Sequence, residues 1–152
     1  MAATAFVLYG KAKKKIGNGA IKLNAGAYRV KLCRGASASA AINARSTRSL
    51  LSSCTPEISA RGGYVAGGRL LAAPVWTAGA SANSWKFDAT DLVFTASNSS
   101  LVNVLYAVIG ASTSTGVHAL CYTKLTSGTQ FTVTSPNTLT IVFDALGIFT
   151  LA

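Results

Sequence analysis

The run Leu101 to Ile109 constrains this chain more than any other stretch. It is the most hydrophobic segment, yet far short of the roughly 20 apolar residues that a membrane helix needs. Successive side chains of a strand point to opposite faces. Here both sets are apolar, interrupted only by Asn103. That pattern predicts a central strand covered on both sides, since an edge or half-solvated strand would alternate.

The segments around it read as further short strands. They are Leu70 to Trp76, Trp85 to Ala89, Leu92 to Phe94, Ala119 to Leu125, Phe131 to Thr134, Leu139 to Phe143 and Gly147 to Leu151. An Asp-Ala-Thr-Asp corner at 88–91 separates two of them, and Gly62 to Gly68 is punctuated by glycines. Roughly seven to nine short strands joined by Ser, Thr, Gly and Asn turns predict an all-β fold, a single β-sandwich or jelly-roll-like domain over residues 1–152.

Near the N-terminus, residues 4–9 are apolar, and Gly10 to Ile16 is expected to form one or two helical turns closed by Gly17-Asn18-Gly19. Phe6, Tyr9 and Ile16 would pack inward and the lysines outward. A hairpin is expected next: Ile21 and Leu23 flank Lys22, Asn24 to Ala27 turns, and Tyr28, Val30 and Leu32 alternate with Arg29 and Lys31. In that arrangement Lys22, Arg29 and Lys31 share one outer face. Residues 35–62, rich in Ala, Ser and Arg, read as a long loop with a short helix near Thr47 to Ser52. A loop of that length in a small domain is usually functional, which suggests an assembly arm carrying Arg45, Arg48 and Arg61.

Charge is scarce and unevenly spread. Only 12% of the residues are charged, and the formal net charge is +10. Ordinary soluble domains carry about 25% charged residues. Residues 1–76 hold twelve basic residues against Glu57, whereas 77–152 hold Lys86 and Lys124 against Asp88, Asp91 and Asp144. Such a split suggests that one end of the molecule meets something acidic, and nucleic acid, an acidic protein surface or an anionic membrane would fit. Nucleic-acid sites interleave aromatic with basic residues or present a basic helix to a groove. The one basic cluster, Lys11, Lys13, Lys14 and Lys15, has Phe6 and Tyr9 on its apolar side instead. A protein contact is therefore favoured over DNA. The residues expected to supply charge complementarity are Lys11, Lys13, Lys14, Lys15, Lys22, Arg29, Lys31, Arg45, Arg48 and Arg61.

Residues for catalysis are sparse. Acid–base work needs paired titratable groups, and the chain offers one histidine, His118, and four acids. A lone histidine in a sheet protein is more often structural. Asp88 and Asp91 alone make a poor cation site, and turn capping suits them better. The strings Gly79 to Asn83 and Gly110 to Ser114 lack the final glycine of a nucleophile elbow, and no phosphate-binding glycine motif occurs. Cys33, Cys54 and Cys121 are odd in number with no C-x-x-C spacing. They are read as buried reduced thiols, with one disulfide left open. No enzyme activity, metal or cofactor is expected. The start Met1-Ala2-Ala3-Thr4 lacks the basic lead of a signal peptide.

From about residue 47 onward the order of landmarks resembles a family of small tailed-phage structural proteins. The strings are Glu57-Ile58, Gly63-Tyr64-Val65-Ala66-Gly67-Gly68 with Leu70 and Leu71 close behind, Phe87-Asp88-Ala89, Asp91-Leu92-Val93-Phe94, Tyr106-Ala107-Val108-Ile109 and Gly147-Ile148-Phe149. Ile21-Lys22-Leu23 and Tyr28-Arg29-Val30-Lys31-Leu32 fit that family's opening hairpin. The resemblance implies a virion component assembled in a bacterial cytoplasm: a capsid decoration or cement protein, or alternatively a neck, collar or tail subunit. Its implied partners are the major capsid protein or other virion subunits, in repeated or homo-oligomeric copies. It implies no catalytic residues. The basic first half departs from the pattern, because the relatives are richer in Asp and Glu.

Overall fold

A computed structural model describes residues 5–35, 42 and 49–152. The protein is mostly β, with one short helix and three antiparallel sheets among the described residues. Strands β1 (Val7–Leu8), β2 (Tyr28–Arg34), β3 (Arg69–Leu70), β7 (Leu101–Thr113), β8 (Gly116–Lys124) and β9 (Phe131–Val133) form the largest sheet. Its order is β1-β8-β7-β2-β3, with β9 paired to the start of β7. Strands β4 (Val75–Ala78), β5 (Trp85–Asp88) and β11 (Phe149–Leu151) make a second sheet in the order β11-β5-β4. Strands β6 (Leu92–Thr95) and β10 (Thr138–Ile141) make a two-stranded third.

The central strand is where the apolar run placed it. β7 is 13 residues long and lies between β2 and β8. Both its faces are covered. On one, Lys31, Val108 and Tyr122 lie in register and share a side. That side is covered by helix α1 (Gly10–Gly17), reached through the Tyr9–Tyr122 ring contact at 5.0 Å, and by the segment around Leu51 and Cys54. On the other side Tyr28 meets Phe87 of β5 at 4.8 Å, and Phe87 meets Phe149 at 5.3 Å, so the three-stranded sheet lies over it. Aromatic pairs at these separations add to area burial.

Asn103, the one polar residue in the run, has a φ of 63°, and the register of β7 against β9 shifts between Leu101 and Val104. Asparagine tolerates the left-handed region, and the resulting bulge lets one strand turn toward a third neighbour. Gly68 (φ 84°) is required by close approach: a Cβ there would lie 2.3 Å from the Val30 carbonyl oxygen.

Three expectations need correction. Residues Ile21 to Leu23 form no strand, and the expected hairpin is absent. β2 pairs with β7 along its whole length, while β3 pairs with Arg29 and Val30 on the other edge, so no edge is left there for 21–23. Those residues turn instead: Lys22 O accepts from Ala25 N at 3.1 Å and from the Tyr28 hydroxyl at 2.8 Å, and Ile21 and Leu23 are buried as plugs. The stretch Leu70 to Trp76 is not one strand but two strands in different sheets. It breaks at Ala73, with a φ of 45°, and Pro74, which has no N–H to donate. In the long loop, the expected helix is a 3₁₀ turn at Leu51–Ser53. Leu51, Cys54 and Ile58 are buried, so this part of the loop covers the sheet. Arg45 and Arg48 lie outside the described residues.

Candidate interaction surface

Helix α1 begins at Tyr9, whose extended backbone and buried ring anchor it, and ends at Asn18. Ala12 is buried; Lys11, Lys13 and Lys14 are exposed and Lys15 is half-buried. This is the inward–outward split expected from the sequence, with Phe6 and Tyr9 buried and Ile16 half-buried. Lys14 and Lys15 stand in the last turn, where cations complement the helix dipole. None of the four lysines has an acidic partner within 4.0 Å among the described residues. Lys22 is exposed in the turn that follows, and Arg61 is exposed.

Arg29 and Lys31 do not continue that surface. They line a separate groove of about 690 Å³ with Leu50, Leu51, Glu57 and Val117. Lys31 is only 4% exposed, which corrects its assignment to an outer basic face. Its ammonium lies 3.3 Å from Glu57 Oε2 and donates to the Leu51 carbonyl at 3.2 Å. The other Glu57 oxygen accepts from the Tyr64 hydroxyl at 2.6 Å and from Gly67 N at 2.7 Å, and Leu32 N donates to Tyr64 Oη at 3.1 Å. Burial, and then the bond to Glu57, hold the Tyr64 hydroxyl well above its usual range. Arg29 is half-buried and donates from Nη1 to Gly68 O at 3.1 Å.

The remaining acids are also used within the chain. Asp88 pairs with Lys86 at 3.1 Å and accepts from Ala89 N. Asp91 accepts from Phe143 N, tying the β5–β6 corner to the residues after β10, and Asp144 accepts from Leu146 N. Asp88 and Asp91 thus bind backbone, and no group of three or more potential metal-ligating side chains occurs among the described residues.

His118 is buried, with Nε2 2.9 Å from Thr115 Oγ1 and Nδ1 3.2 Å from Ser49 O. Both ring nitrogens are engaged in structure. Cys33, Cys54 and Cys121 are buried and unbonded to one another, as read from the sequence. Burial pushes the Cys33 thiol up to about 12 and the Cys121 thiol well above its ordinary value, which disfavours the nucleophilic thiolate near neutrality.

Two surface features escaped the sequence reading. Glu57 emerges as the organiser of the Lys31 site; being the single acid in a strongly basic half was the signal that marked it. Large apolar side chains also remain open: Val65 and Leu70 near β3, Trp85 on β5, and Leu146, which is 60% exposed. Trp85 stacks on Trp76 with ring centres 6.0 Å apart. No helix among the described residues is long and apolar enough to cross a membrane. Comparison with protein-family models, with curated proteins and with solved structures gives no match.

Proposed function

We propose that this chain is a non-enzymatic structural protein of a tailed-phage virion, a capsid decoration or cement protein that holds neighbouring shell subunits by protein–protein contact. The observation that carries this reading is the imbalance of partners. All four side-chain carboxylates are engaged within the chain, whereas Lys11, Lys13, Lys14 and Arg61 stand in solvent without acidic partners among the described residues. An acidic protein surface would supply what is missing, and the open side chain of Leu146, which lines the same groove as Lys13, supplies apolar area beside it. A standard interface buries about 1,600 Å²; repeated over many copies, modest contacts stabilise a shell cumulatively. The resemblance in landmark order to small tailed-phage structural proteins adds the particle context.

The test compares purified shells with and without the protein in a heat or osmotic-shock series. Shells carrying it should survive longer, and equal survival would end the cement reading. Copy number is the second readout. Tens to hundreds per particle fit decoration, while about a dozen or fewer would move the chain to a neck, collar or tail ring. Direct DNA contact predicts a gel shift at low salt that is lost at moderate salt.

A further inference from the structure

Two sheets of this protein end side by side. β1 is the outermost strand of the largest sheet and β11 the outermost strand of the three-stranded sheet. A groove of about 540 Å³ lies between them, lined by the consecutive residues 5–8 of one and 146–151 of the other. Among the described residues β1 pairs with β8 alone and β11 with β5 alone. An edge strand carries a row of backbone donors and acceptors that a further strand can meet. The apolar content of the groove comes from Phe6, Leu8, Ile148, Phe149 and the open Leu146. Lys13 borders it, with Lys11 and Lys14 exposed on the same helix, and Asp144 also lines it.

We propose that this groove takes an extended segment of a partner protein, apolar at alternate positions and acidic at the end beside Lys13, which adds as a strand to the β11 edge. Main-chain pairing supplies affinity in strand addition, and alternate side chains supply specificity. Charge selects the occupant. A second copy of this +10 chain would bring like charge to the α1 lysines, whereas an acidic segment meets them favourably. Asp144 would repel an acidic residue set against it, so the acidic end belongs at Lys13. The inference rests on the adhesion reading for its biological setting, but the groove is testable without any particle.

The experiment uses the whole isotope-labelled chain and a nine-residue peptide alternating Val and Thr, with Asp-Glu at one end. Controls replace Asp-Glu by Lys-Lys, or methylate alternate backbone nitrogens. At about 1 mM acidic peptide, amide shifts should concentrate in residues 5–8 and 146–151. The Lys-Lys peptide, and the acidic peptide on Lys13→Glu, should bind about tenfold more weakly. The N-methylated peptide and the Leu146→Asp variant should not bind. Lys13 and Leu146 are both exposed, so these variants keep the fold. Shifts elsewhere, no shifts, or equal affinity for both peptide charges would overturn the proposal. Self-association of the chain relieved by Leu146→Asp would also overturn it, in favour of a second copy as occupant. On particles, attachment that survives Leu146→Asp refutes the groove alone, while a parent chain that never attaches refutes the adhesion reading alone.

Discussion

Lys31 and the lysines of α1 carry the same side chain and the same formal charge, but they occupy opposite environments. Lys31 is enclosed beneath the 49–58 segment, with Glu57 and the Leu51 carbonyl as partners. Lys11, Lys13 and Lys14 face water and have no acidic partner among the described residues. The difference teaches that a basic half is not a basic face. One cation is part of the interior, where an unpaired charge is expensive, and the others are free for an outside contact.

Removing the partner of the enclosed lysine should have the largest effect. Glu57→Ala leaves a buried ammonium uncompensated and strips acceptors from Tyr64 and Gly67. The expected loss is about 3–5 kcal/mol in urea unfolding. If Glu57→Ala costs as little as a surface change, the contrast between the two regions collapses. The pair is not expected to outperform a well-packed apolar substitute, so Lys31→Met combined with Glu57→Gln should recover part of that loss.

Next in size is Gly68→Ala, at the crossing of the β3 approach over β2. The new Cβ would meet the Val30 carbonyl in a backbone conformation that L residues rarely adopt. A loss of about 1–3 kcal/mol in unfolding free energy is expected. Tyr64→Phe tests the same network more gently. It removes the hydroxyl joining Leu32 N to Glu57 Oε1, for about 1–2 kcal/mol, and should raise amide hydrogen exchange at Leu32. The smallest stability effect belongs to α1: Lys11→Gln, Lys13→Gln and Lys14→Gln together should stay within about 0.5 kcal/mol of the parent. The same triple change should weaken attachment to an acidic partner and flatten its salt dependence. Loss of stability with attachment unchanged would reverse the two assignments.

What the sequence disclosed depended on how local each signal was. The apolar run around Val104 to Ile109, the helix ending at Asn18 and the corner at 88–91 are dictated within a few residues, and each formed where expected. Asn103 looked like an interruption and is a bulge, a role consistent with its tolerance of positive φ. The hairpin around Lys22 failed for a non-local reason: β7 and β3 had already taken both edges of β2. Lys31 failed similarly. Strand alternation puts it opposite Val30 and Leu32, but alternation cannot say that the 49–58 segment returns over that side. The groove beside Lys13 was illegible because it needs the first and last strands of two different sheets to end next to each other.

That last arrangement has a practical consequence. Since β11 lines the groove and ends at Leu151, anything joined directly behind Ala152 starts beside it. An affinity tag or fluorescent fusion there would crowd the edge that an incoming strand must meet, and a negative binding result from such a protein would be uninformative. The solvent-exposed turn at Ser114 to Gly116, which joins β7 to β8 away from those walls, is the better place for a label.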